Sequence, residues 1–260
     1  MARELGEKLL IASLLTNLGL TFRAQGDYGS ARANFEESLP LRRQLGDRES
    51  TARLLGLLGH VSLEEGDHMA ASTLFEQSLA MARDAQSKWG IASSLNGLGL
   101  VSHARGDFDA AGSLFEESLT LSRRLESKHW AAAVLNNLGD VTLRREDYRT
   151  ARALYEESLA TVRDAERTLD LAGPLEGFAR LAAATGEPGR AARLWGVGES
   201  LRERIGAPLP PSRRAEYAQS VENARGQLEE AAFTAAWNEG RAMSLELAVA
   251  YALEDWGPSA

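Results

Sequence analysis

Cysteine is absent from the 260 residues, which excludes disulfides and thiol chemistry and fits a reducing cytoplasm. Lysine occurs three times, as Lys8, Lys88 and Lys128, and none follows a glycine, so the phosphate-binding P-loop motif is missing. Lys and Arg form no cluster, and the formal net charge of -8 argues against a nucleic-acid surface, since phosphate contacts need a basic stripe. No uninterrupted apolar run of about 18 residues is present to span a bilayer. There is no basic start followed by an apolar stretch and a cleavage site, so a secretory signal is not expected. Nor is there a His-Glu-x-x-His spacing, a triad or an elbow motif, so neither a metal nor an enzymatic centre is expected.

What the chain does contain is one pattern written five times. Shifting it by 40 residues aligns Asn17-Leu18-Gly19, Leu57-Leu58-Gly59, Gly97-Leu98-Gly99, Asn137-Leu138-Gly139 and Gly177-Phe178-Ala179. The turns Gly26-Asp27, Gly66-Asp67, Gly106-Asp107, Glu146-Asp147 and Gly186-Glu187 recur in step, and so do Phe35, Phe75, Phe115, Tyr155 and Trp195. A fixed period of this size implies a stacked array in which each unit buries its apolar face on its neighbours. Each unit reads as two antiparallel helices. In the third, Leu95, Leu98, Gly99 and Val101 share a helical face, Gly106 suits a left-handed helix end and Asp107 caps the next helix. Phe108, Ala111, Phe115 and Ser118 share a face of the second helix, with Ala and Ser small where its neighbour comes close.

This pattern resembles the tetratricopeptide repeat (TPR). The first unit matches it as Leu15, Leu18-Gly19, Phe22, Ala31, Phe35 and Ser38, and the resemblance covers roughly residues 8–206. Two departures stand out. The period is 40 where about 34 is usual, and Phe22 becomes Ser62, Ser102, Thr142 and Ala182. The longer unit looks like the repeats of kinesin light chain and of bacterial peptide- or sugar-sensing regulators. The resemblance implies an all-α, right-handed superhelical solenoid of five helix pairs, at about 8–46, 47–86, 87–126, 127–166 and 167–206. Residues 207–260 form a proline-rich break and a C-terminal cap, with helices expected over 212–226, 228–242 and 245–254.

Met1 to Gly6 falls in the register of Leu41 to Gly46, the end of a second helix, so further repeats or another domain are expected before Met1. The stretch Gly186 to Pro211, with Phe233, Trp237, Gly240-Arg241-Ala242 and Ala252-Leu253, looks like the end of the repeat region in large bacterial regulators. Those join a nucleotide-binding ATPase, TPR-like repeats and often a LuxR-type DNA-binding domain. The resemblance implies flanking domains of these kinds in a longer protein. The other reading is a free-standing adaptor that scaffolds a complex without a switch.

On each first helix a second stripe lies away from the packing set, and in TPR proteins the corresponding stripe lines the concave surface. It reads Ser13, Thr16, Leu20 and Arg23; then Arg53, Gly56, His60 and Leu63; then Ser93, Asn96, Leu100 and His103; then Ala133, Asn136, Asp140 and Leu143. Amides, charges and leucines together suit an extended peptide, whose backbone needs hydrogen bonds and whose side chains need apolar contact. Asn17 and Asn137, one position later, add amides, and in the relatives asparagines at such positions hold a ligand's backbone. The expected binding residues are therefore Asn17, Arg53, His60, Asn96, His103, Asn136, Asn137 and Asp140, taking a peptide, a protein segment or a small effector, with no cofactor and no metal. The lysine pair of chaperone-tail-binding TPR proteins is missing, since Thr16, Gly56, Asn96 and Asn136 fill one of its positions. Paired glutamates such as Glu116-Glu117 recur in the repeats and read as a solvated helix face. Gly196-x-Gly198 lies inside a helical unit and carries no nucleotide signal.

Overall fold

The computed structural model describes residues 2–164 and 168–254. The expected boundary between the fourth and fifth repeats, at residues 166 and 167, lies outside the described residues, as does the end of the chain from residue 255. The fold is all-α, an array of TPR-type helix pairs. It runs as α1 (Ala2–Ala24), α2 (Tyr28–Gln44), α3 (Arg48–Glu65), α4 (His68–Asp84), α5 (Lys88–Ala104), α6 (Phe108–Arg124), α7 (Lys128–Arg144) and α8 (Tyr148–Asp164). After a short 3-10 turn, Thr168–Leu171, come α9 (Ala172–Ala184), α10 (Pro188–Ile205), α11 (Pro211–Arg225), α12 (Glu230–Ala242) and α13 (Leu245–Leu253). The chain divides into two compact units, Met1–Leu125 with Ala207–Ser212, and Glu126–Gly206 with Arg213–Ala260.

Local chemistry sets the helix boundaries. The side chains of Asp27, Asp47, Asp67, Asp107 and Asp147 each accept the amide three residues on, at 2.9 to 3.1 Å, which satisfies a donor the first turn leaves open. The Asp27 and Asp147 carboxyls lie below the usual carboxylate range because Ser30 and Thr150 donate to them through hydroxyl and amide. Gly26, Gly66, Gly106 and Gly186 take positive φ at the turns within the pairs. Glu146 is forced into the same left-handed conformation, at φ 61°. In the fifth pair Pro174 has no amide to donate to residue 170, and the backbone before it tightens into the 3-10 turn.

In the first unit the five-fold aromatic shows its purpose. Phe35, Phe75 and Phe115 are fully buried. A Cβ on Gly59 or Gly97 would stand 2.9 or 2.3 Å from a carbon of the Phe75 ring, so that ring is held between two glycines, one from its own pair and one from the next. A second tie repeats beneath it. The hydroxyls of Ser38, Ser78 and Ser118 donate to the carbonyls of Ala12, Ala52 and Ala92 at 2.7 to 2.8 Å, joining second helix to first. Each of those carbonyls has a second lone pair to offer.

Helix α1 exposes Leu5, Leu9, Leu10, Ile11, Leu14 and Leu18, Leu10 by 60%. Its stretch Glu4–Ala24 is long and apolar enough, by length and composition, to cross a membrane. The repeat explains this composition: Leu54 and Leu58, the equivalents of Leu14 and Leu18, are buried against Phe35 and Tyr28 of α2.

The second unit repeats the scheme. The Tyr155 ring sits between Gly139 and Gly177, where added Cβ atoms would come within 2.4 and 2.5 Å of it. Ser158 donates to the Ala132 carbonyl at 2.8 Å. Trp195 is fully buried in a core that continues through Val221, Ala224, Phe233, Ala236, Ala248 and Ala252. Helices α10 and α12 meet backbone to backbone: a Cβ on Gly196 would lie 2.3 Å from the Trp237 carbonyl oxygen, and one on Gly240 only 1.9 Å from that of Arg193. Gly196 therefore serves helix packing. The rim is tied by Trp237 Nε1 donating to Glu199 at 2.8 Å and by Arg241 paired with Glu203 at 2.7 Å. Helix α12 begins at Glu230, two residues beyond the sequence expectation, while Ser244 caps α13 by accepting the Leu247 amide at 3.2 Å.

Three substitutions test the packing and turn geometry. Gly240→Ala drives a carbon into a carbonyl that cannot rotate away, and should cost about 3 kcal/mol or more, as an overpacked core does. Gly97→Ala meets a movable but fully buried ring and should cost about 2 kcal/mol. Urea titration checks the order of the two. Glu146→Gly should instead stabilise by about 1 kcal/mol, because glycine carries no Cβ penalty at positive φ, and the melting temperature should rise by about 2–4 °C.

Candidate functional site

The first-helix stripe of the first unit is largely tied to its own neighbours. Thr16 is buried, its hydroxyl oxygen 2.7 Å from the Ala12 carbonyl oxygen and 3.0 Å from Ser38 Oγ. Ser13 accepts from Arg42 at 2.7 Å. Arg23 grips Glu64 through Nε and Nη2, with a closest approach of 2.8 Å, linking the first two pairs. Of the expected binding residues here, Arg53 is half-buried on α3 and Asn96 is only 4% exposed on α5. His60 and His103 each pack edge-on against a phenylalanine, Phe75 at 4.9 Å and Phe108 at 5.4 Å between centroids. Among the described residues no group of three or more His, Asp or Glu side chains is placed to hold a metal ion.

Asn17 and Asn137 stand in the column that Gly97 and Gly177 occupy in other repeats. In those two repeats the column is the contact with the preceding aromatic, Phe75 or Tyr155. It belongs to the stacking face more than to the stripe. Asn17 is exposed and Asn137 is half-buried.

In the second unit the stripe gathers charge. Asp140 accepts the Tyr155 hydroxyl at 2.7 Å and pairs with Arg180, and its other oxygen lies 4.0 Å from Arg213 of α11. Glu176 pairs with Arg202 of α10, and Arg144 with Glu216 of α11. Burial raises the Tyr155 hydroxyl well above its ordinary pKa, with the Asp140 carboxylate adding to the effect. Burial works against the Arg180 charge, yet Asp140 outweighs it and holds the guanidinium more firmly protonated than usual. Arg213 is half-exposed, and the like charges of Arg180 and Arg202 oppose the pull that Asp140 exerts on it.

Asn136 lies one turn before Asp140, is 9% exposed, and its Oδ1 is buried without a hydrogen-bond partner. A buried acceptor left unmet costs about 1–3 kcal/mol. A cavity of about 350 Å³, lined by Glu156, Leu159, Ala160, Arg163, Val249 and Leu253, lies between α8 and α13, and none of the expected binding residues lines it.

Of the expected residues in this unit, Asn136 and Asp140 thus share one helix face, joined by residues the sequence reading passed over. Glu176 and Arg180 are the fifth-repeat equivalents of Asn136 and Asp140, so extending the stripe by another 40 positions finds them. Arg202 lies on a second helix, at the position of Arg42 in the first repeat, while Arg213 and Tyr217 lie beyond the repeats and carry no periodic signal.

Burial, then the nearby Arg23 charge, lowers the His60 pKa to about 3. The unfolded chain takes up this proton near the ordinary histidine value of about 6.5 and the folded one does not, so stability falls as pH drops from there toward 3. Between pH 7 and 5.5 the wild type should lose about 1 kcal/mol more than His60→Gln. Urea midpoints of the two proteins at both pH values measure the difference.

Comparison with known proteins places this geometry. The tetratricopeptide repeat family model matches residues 10–84 and 90–164, more than half of the chain. None of the curated proteins matches it. Among solved structures, BtubC (BKLC) from P. vanneervenii is similar at 20% identity and a TM-score of 0.59, over 82% of this chain and 92% of that one. A Rap protein complexed with Competence and Sporulation Factor is similar at 13% identity and a TM-score of 0.67, over 92% and 71%. PilF of Pseudomonas aeruginosa is similar at 18% identity and a TM-score of 0.52, over 91% and 99%. Identities this low bear on the fold alone. The helix pairs, the buried aromatic between glycines and the matched residues together show that the chain belongs to the tetratricopeptide repeat family.

Proposed function

We propose that this chain is a non-catalytic interaction module that holds a peptide or protein segment against its first-helix stripe, as the sensory part of a bacterial transcriptional or signalling regulator. The observation that carries the reading is Asn136: a buried amide whose oxygen lacks a donor, on the stripe where a segment's backbone N–H groups would supply one. The family supports protein partners in general. The structurally similar Rap protein, solved in complex with Competence and Sporulation Factor, supports occupation of such a fold by a signalling factor. Five repeats over residues 1–206 with a closing segment from 207, cytoplasmic placement, and ATPase and DNA-binding neighbours in a longer protein belong to the same reading.

Peptides selected on the pure protein from a random display library provide the test. Asn136→Ala should weaken the best of them about tenfold, the equivalent of about 1.4 kcal/mol, with unchanged helicity by circular dichroism. No enriched peptide, or an unchanged Kd, sinks the reading. The regulator setting is checked separately by immunoblot of source cells: a band several times larger than 28.1 kDa is expected, and one at 28.1 kDa makes the chain a free-standing adaptor.

A further inference from the structure

Helix α11 brings the chain's own side chains to the stripe of the second unit. Its two halves are held differently. Val221 and Ala224, in the later half, are buried in the core, and Arg225 lies 4.7 Å over the Phe233 ring. Residues 211–216 are all exposed, and Arg213 and Glu216 face charged partners. Glu216 pairs with Arg144, Arg213 stands 4.0 Å from Asp140, and the two side chains stay 47% and 51% exposed. Tyr217 stands between the halves, packed against the core: its hydroxyl accepts from Arg202 at 3.2 Å and its ring lies 6.3 Å from that of Trp195.

Such half-exposed ion pairs contribute about 0–1 kcal/mol each. Arg213 is held less firmly still, because Arg180 and Arg202 repel it while Asp140, its partner, is already shared with Arg180 and Tyr155. One turn from Asp140, the oxygen of Asn136 stays unmet with α11 in place. The first half of α11 therefore meets part of what the stripe offers and is weakly fixed.

We propose that this half of α11 is a displaceable internal stand-in for the ligand. The ligand's chemistry follows from its imprint: a peptide with a basic residue that reaches Asp140 and, about one helical turn later, an acidic residue for Arg144 followed by an aromatic for Arg202. This is the order Arg213-x-x-Glu216-Tyr217. The inference rests on the stripe being the binding face. Tethering makes the internal segment an intramolecular competitor at an effective concentration of order millimolar, so a free peptide must first displace it.

The probe is a fluorescein-labelled peptide of residues 207–220, added to the full-length protein and followed by anisotropy. Arg213→Ala with Glu216→Ala touches only half-exposed side chains and should leave the helical spectrum intact. The labelled peptide should bind this variant at least tenfold tighter than the wild type. Adding Arg144→Glu to the variant should abolish the gain, and a peptide carrying Glu216→Arg should recover it. Equal binding to wild type and variant overturns the proposal. A gain that survives Arg144→Glu also overturns it, because the peptide then sits elsewhere. Library-selected peptides separate the two ideas: if they bind the wild type and do not compete with 207–220, the stand-in fails while the binding reading holds. If only 207–220 binds, the external ligand fails.

Discussion

The structure depends on one steric arrangement, a flat aromatic ring clamped between glycines. Phe75 between Gly59 and Gly97, and Tyr155 between Gly139 and Gly177, bring three helices close enough that no Cβ fits. An aromatic ring buried here contributes about 3–5 kcal/mol relative to alanine. It does so only because the helix backbones lie against its faces. The serine hydroxyls on Ala12, Ala52, Ala92 and Ala132 follow from that proximity, since they reach a carbonyl only when the second helix lies flush on the first. In an array, each clamp also fixes the angle at which the next pair is laid down.

With packing assigned to one face of each first helix, the other face is free to carry chemistry, and the two units use it differently. The first unit closes its stripe with internal ties: Arg42 on Ser13, Thr16 on Ser38 and Arg23 on Glu64. The second unit concentrates Asp140, Arg180, Glu176 and Arg202 in a partly desolvated cluster, where charges act more strongly than at a wet surface. Its remaining needs, a partner for Arg144 and one for the Asn136 oxygen, are met in part by α11 and in part not at all.

Helix pairs, turns and caps were legible residue by residue because each is a local choice. Asp147 caps α8 although Glu146 replaces the turn glycine, since the cap needs only a carboxylate at one position. The column holding Asn17 and Asn137 was less legible. Polarity alone points to a ligand there, while in the third and fifth repeats Gly97 and Gly177 at the same position lie against Phe75 and Tyr155. Gly196 reads alone as a glycine inside a helical unit, and only the Trp237 backbone, whose carbonyl oxygen a Cβ there would meet, explains it.

Periodicity by itself determined the fold class, the helix pairs and the identity of the packing face, because a repeated unit must bury the same positions every time. It also contained, one period further on, the charge pair Asp140 and Arg180. What only the tertiary structure decided is where the aperiodic end of the chain goes. Arg213, Glu216 and Tyr217 reach Asp140, Arg144 and Arg202 through a turn of chain after Gly206 that obeys no repeat. Contacts between a repeated surface and an unrepeated segment leave no period to read, since they are set by where three-dimensional packing returns the chain.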